Sequence, residues 1–101
     1  NRVFSHPDSA FYYGEKAIQL AQALGNANAV ADVHIDLGNV YLNTFNYLKA
    51  LSEFIVAAEI LDSLRSNPKN QMIAYANIGN VEFLLENYDK AIDYTKQALL
   101  T

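Results

Sequence analysis

Apolar residues recur every three or four positions near the start of the chain, which is the spacing of one face of an α-helix. The residues on this face are Phe11, Gly14, Ala17, Ile18, Ala21 and Leu24. Pro7 suits the first turn of such a helix, and Gly25 suits its C-terminal cap. The pattern therefore predicts a first helix over residues 7–25.

Four more helices are predicted by the same spacing, over about residues 27–44, 47–65, 69–85 and 89–101. The breaks between them fall at residues 45–46, 67–68 and 86–87. Pro68 cannot lie inside a helix without removing a backbone hydrogen bond, so it separates two helices. We expect an all-α chain of five helices.

A repeat of 41 residues underlies this pattern, as the distance from Gly38 to Gly79 shows. Shifting the chain by 41 aligns residues 31–60 with residues 72–101. The identical pairs are Gly38/Gly79, Asn39/Asn80, Val40/Val81, Asn46/Asn87, Tyr47/Tyr88, Lys49/Lys90, Ala50/Ala91 and Ala57/Ala98. Ala10 and Ala17 repeat the spacing of the alanines once more, so three copies of one helix and two of another are present.

Two glycines inside predicted helices need a reason, because each costs about 1 kcal/mol relative to alanine. At equivalent repeat positions, Gly38 and Gly79 predict a close approach of two helices. The facing helices carry small residues, and larger residues are expected to pack between the crossings. The small residues are Ala50, Ala57, Ala91 and Ala98, and the larger ones are Leu37, Tyr41, Phe54, Ile78, Phe83 and Tyr94.

At these positions the sequence resembles the tetratricopeptide repeat (TPR) family. The stretch LGNVY at 37–41, followed by Ala50, Phe54 and Ala57, matches the family pattern. The second unit departs from it at Glu82 and Thr95, where aromatic residues are expected and where Phe83 and Tyr94 stand one position away. The repeat of 41 residues is also longer than the usual length of about 34.

The resemblance implies a TPR-like α-solenoid of antiparallel helix pairs with about two and a half repeats. These are a half repeat at 7–25 and repeats at 27–66 and 69–101, in a single domain within a longer protein. The chain is also similar to bacterial TPR segments that precede sensor kinase or transcription-regulator domains. The implied function is binding of a peptide segment of a partner protein in a concave groove.

The family's groove positions lie on the first helix of each pair. In this chain they are Asp32, Ile35, Asp36, Asn39, Leu42, Asn43, Ile73, Ala76, Asn77, Asn80, Phe83 and Leu84. An asparagine amide offers both a donor and an acceptor, so Asn39 and Asn80 are expected to contact a peptide backbone. The alternative is that these two amides bond locally within the helix.

Charge near the groove favours a basic ligand. Asp32 and Asp36 lie four residues apart and repel each other unless a cation approaches, although a solvated acidic patch is the alternative. The Lys and Arg clamp with which some TPR domains hold a carboxylate is missing, since Ile35 and Ala76 occupy its key position. We expect a protein or peptide partner that carries basic residues.

Composition argues against other functions. The net charge of −4 supplies no source of nucleic-acid affinity, and no apolar run reaches the length of a membrane span. Cysteine is absent and the two histidines lack a second ligand at helical spacing, so no metal, cofactor or enzymatic activity is expected. His34 is predicted to pack as a structural residue. The composition fits the cytoplasm and is compatible with the periplasm.

A structural or self-associating element is the alternative function. The first helix lacks its repeat partner, which is expected to expose Phe4, Phe11 and Tyr12. The last helix ends in apolar residues, Leu99 and Leu100, without a polar cap. Homodimerisation through these terminal helices is therefore the second hypothesis.

Overall fold

Five α-helices form the chain in the computed structural model, which describes the backbone of residues 7–101 and the side chains of residues 9–101. They are α1 (Pro7–Ala23), α2 (Ala27–Asn43), α3 (Tyr47–Leu64), α4 (Pro68–Leu84) and α5 (Tyr88–Leu100). No strand occurs within these described residues. The predicted all-α class and the five helices are confirmed, and every predicted boundary lies within two residues of the observed one.

Each helix packs on the next helix along the chain. The contacts run from α1 to α2, from α2 to α3, from α3 to α4 and from α4 to α5, and α2 also touches α4. Connections of three residues join successive helices, which is the short linkage typical of paired neighbouring helices. The adjacent helix pairs are therefore the building units of the described part.

The repeat extends to the turns that join α2 to α3 and α4 to α5. Phe45 and Glu86 adopt left-handed backbone conformations, with φ of 62° and 64°. The following residues, Asn46 and Asn87, each donate their backbone N–H to the carbonyl five residues earlier, at 2.8 Å. Gly25 and Asn26 form the same turn between α1 and α2, so three of the four connections share one helix-ending motif.

Two hydrophobic clusters hold the helices together. The larger one joins α2, α3 and α4, and its fully buried side chains include Phe54, Leu61, Ile78 and Val81. The smaller one joins α1 to α2. Its buried members are Ile18, Ala21, Val30 and Leu37. Because Ile60 packs against both clusters, α3 connects them.

The close approach predicted at the two helical glycines is confirmed. A Cβ atom added at Gly38 would lie 2.7 Å from Cδ1 of Phe54, and one added at Gly79 would lie 2.8 Å from Oγ1 of Thr95. Such separations are shorter than ordinary van der Waals contact, so at each crossing a side chain of the facing helix lies directly against the glycine. The four alanines predicted at these crossings are all buried.

Two expectations about aromatic packing are wrong. Phe83 does not pack between the helices: it is 58% exposed, because the neighbouring Glu82 occupies the buried position of the repeat. A carboxylate can lie there because Nδ2 of Asn87 donates a hydrogen bond of 3.0 Å to Oε1 of Glu82. Phe11, expected to be exposed, stacks on Tyr41 with ring centroids 4.4 Å apart.

The other predictions for the ends of the chain concern exposed apolar residues. Tyr12, Leu99 and Leu100 are exposed as predicted, whereas Phe4 lies outside the described residues. Among the helices of residues 7–101, none combines the length and the apolar character needed to cross a membrane.

Candidate functional site

The twelve predicted groove residues lie on α2 and α4, and we name this surface the α2–α4 face. Asp32, Asp36, Asn39 and Asn43 of α2 are exposed, and so are Ala76, Asn80, Phe83 and Leu84 of α4. Leu42, Ile73 and Asn77 are half-buried. Ile35 is the exception: it is only 8% exposed and belongs to the larger hydrophobic cluster, so it offers a ligand almost no surface.

Side-chain hydrogen bonds connect the two helices of this face near their N-terminal ends. Nδ2 of Asn70 donates to Oδ1 of Asp32 at 2.6 Å, and Nδ2 of Asn67 donates to Oδ1 of Asn28 at 3.2 Å. Asn67 also caps α4, since its Oδ1 accepts the backbone N–H of Asn70. These bonds fix α2 beside α4 and give Asp32 a partner within the chain.

Of the Asp32 and Asp36 carboxylates, Asp36 is the one whose negative charge is less stabilised by its surroundings. Burial, and then the neighbouring charge of Asp32, raises the pKa of the Asp36 carboxyl above its usual value. The folded protein therefore disfavours the negative charge at this position. A lysine or arginine of a ligand would offset that effect, which makes Asp36 the better candidate for contact with a basic residue.

Asn39 and Asn80 present free amides on the α2–α4 face. Both side chains are exposed, and neither forms a hydrogen bond within the described part of the chain. Other asparagines behave differently: the side chains of Asn26, Asn67 and Asn87 all bond to neighbouring residues. The alternative of local bonding thus does not hold for Asn39 and Asn80.

An apolar groove lies beside this face, between α4 and α5, and we name it the α4–α5 groove. This open groove has a volume of about 600 Å³. The lining residues are Ala76, Gly79, Asn80, Phe83, Tyr88, Ala91, Ile92, Thr95 and Lys96. Three of them were predicted as site residues, namely Ala76, Asn80 and Phe83.

The α5 wall of the groove was not predicted, because the family resemblance places a ligand on the first helix of each pair. A signal was nevertheless present in the repeat alignment. The second unit carries Ala76 and Thr95 where the first unit carries Ile35 and Phe54. Two large apolar residues replaced by small ones at packed positions indicate missing volume.

Two polar links hold α3 against its neighbours. Nδ1 of His34 lies 2.7 Å from Oε1 of Glu53, and both side chains are partly buried, which agrees with the structural role predicted for His34. Tyr75, at the equivalent repeat position, donates its hydroxyl to the Asp62 carboxylate at 2.6 Å. Burial and this hydrogen bond raise the pKa of Tyr75 to about 12.

Comparison with known proteins adds no family assignment. A scan against protein-family models gives no match, and neither does a search of curated proteins.

Proposed function

We propose that this chain is a TPR-like helical-repeat domain that binds a peptide segment of a partner protein on the α2–α4 face. Two features support the repeat architecture. The sequence repeats at 41 residues, and the turns after α2 and α4 share one hydrogen-bonding pattern. Each helix packs mainly on its neighbours in the chain, which supports an arrangement of the kind found in repeat proteins.

The main support for the proposed function comes from the exposure and hydrogen bonding of the Asn39 and Asn80 side-chain amides. They occupy equivalent repeat positions on α2 and α4. Both side chains are exposed, and their amides have no partner among the described residues. An extended peptide presents N–H and C=O groups that need both an acceptor and a donor. Two asparagine amides meet this need without reading the side chains of the peptide.

Charge narrows the class of peptide. Asp32 and Asp36 lie on the same face, and the chain has a net charge of −4. A segment that places Lys or Arg beside the middle of α2 would meet the destabilised Asp36 carboxylate. The proposed ligand is therefore an extended peptide with at least one basic residue.

A selection from a displayed random-peptide library tests this function. We expect a motif with basic residues to be enriched on the parent domain and lost on the Asn39→Ala, Asn80→Ala double variant. Gln19→Ala is the matched control, because Gln19 is an exposed amide on α1 with no hydrogen bond among the described residues. Equal enrichment on the parent and the double variant, with both folded by circular dichroism, would refute the role of the asparagines.

Self-association is the second candidate function, and one observation favours it. Leu99 and Leu100 are 81% and 87% exposed at the end of α5. Such residues are candidates for contact with a second copy. Sedimentation equilibrium of the parent and of Leu100→Glu decides this question, because a dimer held by these residues would dissociate in the variant.

A further inference from the structure

The repeat supplies a direct comparison for the α4–α5 groove. Gly79, Ala91 and Thr95 line it, and the equivalent residues of the preceding pair are Gly38, Ala50 and Phe54. In the preceding pair this surface is buried, because α4 packs on α3 and contributes Ala74 and Ile78 to the shared cluster. The molecule thus shows what covers such a surface: a helix of the kind of α4.

The two surfaces differ in whether a large side chain of the helix pair itself covers the glycine. Phe54 is fully buried and its ring lies over Gly38. At the equivalent crossing, the atoms nearest to Gly79 are Oγ1 of Thr95 and the backbone oxygen of Ala91. No ring occupies this space, so the groove lacks the large side chain that completes the preceding pair.

We propose that the α4–α5 groove is a docking site for an amphipathic helix of a partner protein. That helix packs as α4 packs on the preceding pair, and it inserts a large apolar side chain into the space between Ala76 and Thr95. This goes beyond peptide binding on the α2–α4 face, because the ligand is helical and its anchor is apolar.

Charge at the rim adds a second requirement. Lys96 lines the groove and forms no ion pair within the part of the chain that the structure describes. Its repeat equivalent is Ile55, which packs against the larger cluster. An acidic residue on the docking helix, placed beside the apolar anchor, would pair with Lys96.

A second copy of this chain is the less suitable occupant. The helices of the required kind are α2 and α4, and each of them already packs against helices on both sides. Within the described residues, the helices with only one neighbour are α1 and α5, but the alanine pairs Ala10/Ala17 and Ala91/Ala98 align both of them with α3 and not with α4. A second copy would have to break one of its own helix pairs to supply a helix like α4.

The probe is a library of helical peptides built on residues 67–85, because α4 is the helix that covers the equivalent surface. Positions 74, 78 and 81 vary among Ala, Leu, Phe and Trp, and one exposed position carries Glu or Lys. Affinity is measured by fluorescence anisotropy. We expect peptides with an aromatic anchor and Glu to bind the parent domain best.

Two groove variants test the geometry. Thr95→Phe restores the residue of the preceding pair and fills the space, so the best peptide should bind at least tenfold more weakly. Lys96→Glu should reverse the preference between the Glu and Lys peptides, and it keeps the test decisive if Thr95→Phe fails to fold. Asn39→Ala, which lies outside the groove, should leave helix binding unchanged and thus separates this proposal from the proposed function.

Three results would overturn the proposal. One is that no library peptide binds the folded parent domain. The second is that Thr95→Phe, verified as folded, and Lys96→Glu both leave the best affinity unchanged. The third is a parent dimer, detected by sedimentation, that Thr95→Phe converts to a monomer, since the occupant would then be a second copy.

Discussion

Gly38 and Gly79 occupy the same repeat position, but their neighbours differ in how far they can move. Gly38 faces the ring of Phe54, which is fully buried among the residues of the larger cluster. Gly79 faces the hydroxyl of Thr95, an exposed side chain that can adopt another rotamer, and the Ala91 backbone oxygen at 3.2 Å. The same substitution should therefore have different effects at the two positions.

We predict that Gly38→Ala lowers the free energy of unfolding by about 1 to 3 kcal/mol, the usual range for overpacking a core. Gly79→Ala should stay within about 1 kcal/mol of the parent, because the higher helix propensity of alanine offsets a small shift of the neighbours. Urea denaturation measures both. Phe54→Leu should partly rescue Gly38→Ala in a double-mutant cycle. Equal losses at the two glycines would contradict this account.

At the scale of the element, α3 and α4 are joined by a polar cluster around Asp62. Tyr75 donates its hydroxyl to this carboxylate, and Nε2 of Gln71 donates to it at 3.0 Å. The pKa of Tyr75 is raised to about 12, so the folded state holds the phenol proton more tightly than the unfolded state, where the pKa is about 10. The resulting stabilisation is complete below pH 10 and is lost as the pH rises towards 12.

We predict that Tyr75→Phe lowers the free energy of unfolding by about 1 kcal/mol at pH 8, the typical contribution of one hydrogen bond. The difference between the parent and the variant should shrink as the pH rises from about 10 to about 12. Urea denaturation across this range checks it. Tyr88→Phe is the control, because the Tyr88 hydroxyl forms no hydrogen bond within residues 9–101. A difference that is independent of pH would argue against the Tyr75 contribution.

The elements also show which features the sequence could predict. Helix positions followed from apolar spacing and from breakers such as Pro68, because both act locally along the chain. The turns after α2 and α4 were located by Asn46 and Asn87, although the left-handed residues before them are Phe45 and Glu86 and not glycine. Local signals were therefore sufficient for the boundaries.

The candidate site was only partly predictable, because it depends on contacts between helices. Burial of Glu82 relies on a hydrogen bond from Asn87, which forms only after the turn has closed. That bond is also the reason why Phe83 faces outwards and lines the α4–α5 groove. The bond between Asp32 and Asn70 likewise joins residues on different helices, and no spacing in the sequence indicates it.

On the scale of the whole molecule, stability is distributed between neighbouring helices. Within the described residues, α1 packs on α2 alone, and its cluster centres on Ile18 and Val30. The larger cluster joins α2 to α4 and has no contribution from α1. In such an arrangement, stability is approximately a sum of terms from each helix and each interface between neighbours. The two ends of the molecule should therefore respond separately to substitutions.

Ile18→Ala removes a buried side chain at the α1–α2 interface. We predict that this substitution lowers the hydrogen-exchange protection of α1, whereas the amides of α4 and α5 keep their protection. The local loss should be about 2 to 4 kcal/mol, as for other buried Ile to Ala substitutions. Hydrogen exchange followed by mass spectrometry resolves the helices. Ile78→Ala is the matched comparison: it removes an isoleucine from the larger cluster and should lower protection in α2, α3 and α4 together. Equal loss of protection in all five helices after Ile18→Ala would instead show a single cooperative unit.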